Sequence, residues 1–173
     1  MIKDVQIKKL KTIPDERGFL MEMLRCDDSI FEKFGQVYIT GCKKGAAKAW
    51  HYHKEQDDHF ICVSGKTLVV LCDLRKDSST YKEVNEFVLE APPAPGGRPH
   101  CEENEPTACI GGQILLKIPA WVAHGFAALD CDEARIINVP TKPYRYDNPD
   151  ELRFPWDSEE IPYKWPDFIT YGG

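Results

Sequence analysis

Several things are scarce in this chain of 173 residues. No run of 18 apolar residues occurs, so no membrane-spanning helix is expected. No Lys/Arg cluster is longer than a pair, and 22 basic against 28 acidic residues leave a net charge of −6. A phosphate backbone needs a basic stripe, so nucleic acid is not an expected partner. The opening Met1-Ile2-Lys3-Asp4 lacks the apolar core of a secretory signal. With seven cysteines, an odd number, the thiols are expected to be reduced and the protein cytoplasmic. Internal repeats are absent, and the length suits one domain, 1–173.

Helix signals are nearly missing as well. Ser29–Phe34 alone reads as a short N-terminal helix, with Asp28 or Ser29 as cap and Gly35 as stop. The rest reads as strands: Val5–Leu10, Phe19–Leu24, Gln36–Gly41, Phe60–Ser64, Thr67–Leu74, Glu86–Leu89, Ile114–Ile118, Gly125–Leu129 and Ala134–Val139. They are short, rich in Val, Ile, Leu and Phe, and punctuated by Gly, Pro, Asp and Asn. Many strands without intervening helices predict an all-β sandwich or barrel of jelly-roll type. Ala91–Gly112 is crowded with Pro, Gly and acidic residues and is expected to be an inserted loop bordering a pocket. His100, Cys101 and Cys109 within it fall one ligand short of a zinc site. From Tyr144 onward, Tyr, Trp and Pro follow no period and predict an irregular C-terminal wrap. Cys62 and Cys72 sit in apolar strands and are expected to be small core residues.

The histidines carry the chemistry. His51 and His53 are two apart, so on a strand they share a face. Two inward imidazoles need partners, which marks a site. Strand phase puts His59 opposite to Asp58, so His59 is expected at the surface or an interface.

Gly45, His51, His53, Asp58 and Gly65, followed by Pro119 and His124, resemble the two motifs of the cupin superfamily, with Asp58 in the place of the usual Glu. That resemblance implies a double-stranded β-helix, a jelly-roll barrel. A closer likeness spans most of the chain. Asp15-Glu16-Arg17-Gly18-Phe19, Asp73 through Tyr81, Ile118 through Phe126 and Asn148-Pro149-Asp150-Glu151-Leu152 through Trp165-Pro166 occur in order. Together they resemble the dTDP-4-dehydrorhamnose 3,5-epimerase family. The resemblance implies nucleotide binding by Arg17, Phe19 and Glu22, a substrate-binding strand with Gln36, a cation at Lys48, a catalytic base at His51 and a substrate contact at His124. The family's tyrosine acid aligns with Ile137, its enolate lysine with Asp58, and its acidic tail element is missing, leaving Asp167 as the candidate partner of the base. Trp50-His51-Tyr52-His53-Lys54, with Tyr38 upstream, is similar to the dTDP-sugar 3,4-ketoisomerases on the same fold.

The expected function is therefore a cofactor-free nucleotide-sugar epimerase or isomerase acting on a dTDP-4-keto-6-deoxyhexose. His51 would remove a proton beside the ketone, and His53, Tyr38 or Tyr144 would return one. Lys48 and Arg17 would balance diphosphate and enolate charge. Two alternatives stand beside it: a metal-dependent cupin using His51, His53, Asp58 and His124, and a non-catalytic sugar-binding cupin. A homodimer is the family-based expectation.

Overall fold

The computed structural model describes residues 1–93 and 110–173. His100, Cys101, Cys109 and most of the expected inserted loop lie outside the described residues. Within the described residues the protein is all-β, and no helix is long and apolar enough to cross a membrane.

The strands are β1 (Gln6–Lys9), β2 (Thr12–Asp15), β3 (Gly18–Met21), β4 (Tyr38–Lys43), β5 (Ala46–Tyr52), β6 (Asp58–Ser64), β7 (Lys66–Asp73), β8 (Val84–Glu90), β9 (Ile110–Gly112), β10 (Ile114–Ile118), β11 (Val122–Ala128), β12 (Glu133–Asn138), β13 (Leu152–Arg153) and β14 (Tyr171–Gly172). One sheet runs β1-β10-β6-β12-β4 and a second runs β13-β5-β11-β7-β8-β9, with β14 added in parallel to β5. Both orders are open. A separate hairpin pairs β2 with β3.

The two large sheets face each other, because side chains from both interleave in one core. Phe60, Cys62, Leu116 and Ile136 from the first sheet pack with Val69, Leu71, Phe87 and Phe126 from the second. Each of these is at least nine-tenths buried, and such burial is the main favourable term in folding. Cys62 and Cys72 are buried core residues, as their strands predicted. The five described cysteines are all free thiols.

The chain termini cover the outer faces. Residues from 152 onward cross β5, where Ile161, Trp165 and Ile169 bury against Trp50, Leu68 and Val70. The Trp50 indole N–H donates to the Trp156 carbonyl at 3.1 Å. On the other side Leu10 and Ile30, with Met21, Met23 and Leu24, cover the outer face of the first sheet over Ile61 and Leu115.

That cover corrects two expectations. His59 is fully buried, with its rings nitrogens against the Val139 and Ile30 carbonyls, because the N-terminal segment roofs the face that a bare sheet would expose to water. Ser29–Phe34 forms no helix; the segment makes two successive turns, Asp28 N–H to the Arg25 carbonyl and Phe31 N–H to that of Asp28. Six residues are too few to recover the cost of helix nucleation, and tertiary contacts decide their shape. The Asp28 carboxylate ties the turn to Lys8, and Ile30 plugs the sheet below. Gly35 marks a close crossing: a β-carbon there would lie 2.3 Å from the Lys142 backbone.

Candidate active site

The cleft opens at one end of the two-sheet packing and holds about 580 Å³. Tyr38 and Thr40 come from β4 on one wall, and Lys48 and His51 from β5 on the other. His53, Phe60, His124 and Phe126 form much of the floor, while 142–146 with Asp150, Glu151 and Arg153 make the rim.

Simple alternation would not put Lys48 and His51 on the same face, since they are three apart. The ladder between β5 and β11 supplies the reason. Lys48 pairs with Phe126 and His51 with His124, so β5 spends one more residue than β11 over this stretch. Such a bulge re-aims a side chain. Gly125 lies inside it, and a β-carbon there would meet the Ala49 β-carbon at 2.3 Å. The glycine of the Ala-His-Gly-Phe segment is thus required by the approach of β11 to β5.

His51 is held from the rim of the cleft. Its Nδ1 lies 3.3 Å from the Glu151 carboxylate, which Arg153 also engages. The short strand β13 puts Glu151 there by pairing Arg153 with His51 and Leu152 with Tyr52. With Nδ1 engaged, Nε2 is the nitrogen left for a ligand. Burial lowers the His51 pKa below the ordinary imidazole value, against the pull of Glu151, so the ring is neutral near pH 7. A neutral imidazole with one oriented nitrogen is a suitable general base. The carboxylate beside His51 is that of Glu151. Asp167 is almost fully exposed and pairs with Lys164.

His53 has a different environment. Its Nδ1 faces the Asp150 carbonyl, and its Nε2 lies 3.3 Å from Asp58 Oδ2. Both nitrogens can donate only in the imidazolium. Burial alone would lower its pKa, but the Asp58 carboxylate and the Asp150 carbonyl outweigh that and raise it to about 9. Asp58 is buried and answers in kind. Burial would raise its pKa, yet His53, His124 and Asn138 hold it at about 2. The Asp58 Oδ1 accepts from Asn138 at 2.9 Å and Gln56 at 3.1 Å, and Oδ2 lies 3.3 Å from His124 Nε2. Burial pushes His124 down to about 4, so it is neutral.

These shifts predict a stability maximum near pH 6.5. His53 is raised in the folded state, so its contribution is complete below the unfolded value of about 6.5 and is lost as pH rises towards 9. His124 and His51 are lowered, so below about 6.5 the unfolded chain takes up protons that the native state refuses. Urea titrations from pH 4.5 to 9.5 should show stability falling on both sides, by about 1 kcal/mol per pH unit at the steepest. Constant stability from pH 6.5 to 9 would contradict the His53–Asp58 ion pair.

Most of the expected site residues meet here. Tyr38, His51, His53, Tyr144, Gln36, Lys48 and His124 all line the cleft. Lys48 Nζ donates to Thr40 Oγ1 at 2.7 Å, and Gln36 Oε1 accepts from the Tyr144 amide at 3.2 Å. The Tyr38 oxygen accepts from Asn138 Nδ2 at 2.9 Å; burial, and then the Asp58 charge, raise its phenol to about 12. Arg17, Phe19 and Glu22 are not brought to the cleft of their own chain. Arg17 and Phe19 stand on the exposed β2–β3 hairpin, Arg17 paired with Asp15, and Glu22 pairs with Arg25. Lys142, Arg145 and Arg153 add positive charge at the rim, which sequence reasoning had not singled out. Ile137 sits on β12 between Ile39 and Ile61 and does not line the cleft.

Among the described residues, His53, Asp58 and His124 place one ligand atom each within 4.8 Å of one another. His51 is not in that group. The four-residue metal set expected from the motifs thus reduces to two histidines and one carboxylate, a donor set that suits a divalent transition metal.

Replacing Glu151 by Gln should lower hydrogen abstraction by about tenfold, much less than loss of the base itself. The same change should shift the acid limb of the pH–rate profile downward, because the Glu151 charge raises the His51 pKa. An unchanged profile would remove Glu151 from the pair.

Known proteins place this arrangement. A family profile of dTDP-4-dehydrorhamnose 3,5-epimerases matches residues 1–94. The chain is 38% identical to the spore coat polysaccharide biosynthesis protein SpsL of Bacillus subtilis over 165 residues, which is 95% of this chain and 97% of that one. It is 36% identical to the probable low-salt glycan biosynthesis epimerase Agl13 of Haloferax volcanii, over 95% and 94% of the two chains. The crystal structure of a dTDP sugar isomerase from Desulfovibrio desulfuricans superposes with a TM-score of 0.80 at 30% identity, covering 97% of this chain and 96% of that one. Sequence and fold agree, and the chain belongs to the dTDP-4-dehydrorhamnose 3,5-epimerase family.

Proposed function

We propose that the protein is a nucleotide-sugar epimerase acting on a dTDP-4-keto-6-deoxyhexose. His51 removes the proton beside the ketone, and Tyr38 delivers a proton to the opposite face. The observation that carries this reading is the placement of the two groups. His51 is on β5 of the seven-stranded sheet, and Tyr38 is on β4 of the five-stranded sheet. A sugar ring between them is deprotonated from one side and reprotonated from the other, which inverts the carbon. Keto-isomerisation moves the proton along one face, so the same pair favours epimerisation.

The remaining residues have supporting roles. Lys48, at the cleft wall, stabilises the enolate oxygen, and Lys142, Arg145 and Arg153 face the diphosphate. His53, with both ring nitrogens engaged, is assigned to the buried ion pair and not to proton return. The reading covers one domain, 1–173, in a cytoplasmic homodimer. Its pairing surface is the hairpin that projects Ile13, Phe19 and Leu20 into solvent, and native mass tests the dimer.

The test is incubation with dTDP-4-keto-6-deoxyglucose in D2O. Deuterium should enter carbon 3, carbon 5 or both; exchange at neither, with any such sugar, would favour a binding module. A second reading rests on the His53–Asp58–His124 group as a metal site. Dialysis against a chelator separates the two. The epimerase reading expects undiminished exchange, and loss of exchange restored by one divalent metal would support the metal reading.

A further inference from the structure

We propose that Asn138 is a positioning residue that aims the Tyr38 hydroxyl proton into the cleft. The inference rests on the epimerase reading above. Asn138 is fully buried on β12 and does not line the cleft. It is the cross-strand partner of Tyr38 on β4, and the next strand, β6, carries Asp58.

Three contacts fix the orientation of the Asn138 amide. Its Oδ1 accepts the His59 backbone N–H at 3.0 Å, so the oxygen must lie on that side. The Nδ2 faces Asp58 Oδ1 at 2.9 Å and the Tyr38 oxygen at 2.9 Å. The His59 backbone N–H can only donate, so a flipped amide would set N–H against N–H there. One N–H of the carboxamide is spent on Asp58, and the other is donated to Tyr38.

The direction of that last bond decides what Tyr38 can do. A phenol oxygen that accepts from an amide keeps its own proton for another partner. Tyr38 lines the cleft, so the proton is turned toward whatever occupies it. When the proton leaves for the substrate carbon, the electron pair of the broken O–H bond stays on the phenolate oxygen. The same Asn138 N–H then stabilises that charge, and no group has to move. Asp58, with Gln56, His53 and His124 around it, holds the amide rigid. His59 is buried, does not line the cleft, and meets Asn138 only through its backbone amide.

A double-mutant cycle tests the role. Asn138→Ala should lower epimer formation by about 30-fold and Tyr38→Phe by about 100-fold. The double variant should match Tyr38→Phe within about threefold, because Asn138 acts through Tyr38. Deuterium exchange at the substrate carbon, which reports the His51 half of the reaction, should stay within about threefold in all three variants. Asn138→Asp is the second variant. It keeps the acceptor for His59 and, facing Asp58, folds by sharing one proton with that carboxyl; the oxygen then facing Tyr38 accepts its proton and draws it from the cleft, so epimer formation should fall at least as far. Losses that multiply in the double variant, or exchange that falls in step with epimer formation, would overturn the role of Asn138 in an active enzyme. A wild-type protein without exchange would overturn the epimerase reading and this inference together.

Discussion

His51→Asn protein is expected to fold as the wild type does and to lose hydrogen exchange into a 4-keto sugar by about 1,000-fold or more, the scale of a general base. Among the described residues of the cleft, this imidazole is neutral, oriented and left with a ring nitrogen for substrate. Burial lowers its pKa, Glu151 holds its Nδ1, and β13 holds Glu151. The loss should be confined to chemistry. Removing the ring leaves Glu151 paired with Arg153, so no buried charge is orphaned. Denaturation should therefore shift by less than about 1 kcal/mol. Retained exchange in the variant would remove His51 from the role of base, and a collapse of stability would show that the residue is structural.

Asp58→Ala should have the reverse profile, with its largest effect on stability. The carboxylate is buried and accepts from Gln56 and Asn138, and it faces both His53 and His124. Taking it away strands the His53 imidazolium, and breaking a buried pair from one side costs about 3–5 kcal/mol. For a chain of this size that lowers the melting temperature by roughly 10 °C. Asp58→Asn keeps the shape and an acceptor and should lose about half as much. The alanine variant should also lose the stability decline between pH 6.5 and 9, since His53 then has no reason to hold its proton. A melting temperature within 2–3 °C of wild type would contradict a charged pair.

Much of this site was legible in residue order, and the parts that were not share a cause. His51 and His53 were found from their spacing, and the core strands from their Val, Ile, Leu and Phe. The segment Ala46–Tyr52 was harder to read as a strand. It holds three alanines among seven residues, and small residues are needed there because β11 crosses it closely at Gly125. Glu151 lay inside the Asn-Pro-Asp-Glu-Leu segment that carried the family likeness, but its place against His51 comes from a two-residue strand 100 positions away in sequence. Asn138 gave no signal at all, as an Asn at the end of an apolar strand has no period to mark it. His59 and the absent helix failed for one reason. Both depended on how the N-terminal segment folds back over the first sheet, which no local pattern encodes.

In the proposed reaction a base on one sheet and an acid on the other invert a carbon beside the ketone. The most direct measurement is a nuclear magnetic resonance analysis of the product formed from dTDP-4-keto-6-deoxyglucose in D2O. The ketone should stay at carbon 4, and a neighbouring carbon should carry deuterium with inverted configuration. A ketone found at carbon 3, or deuterium incorporated only with retention, would contradict the proposed reaction.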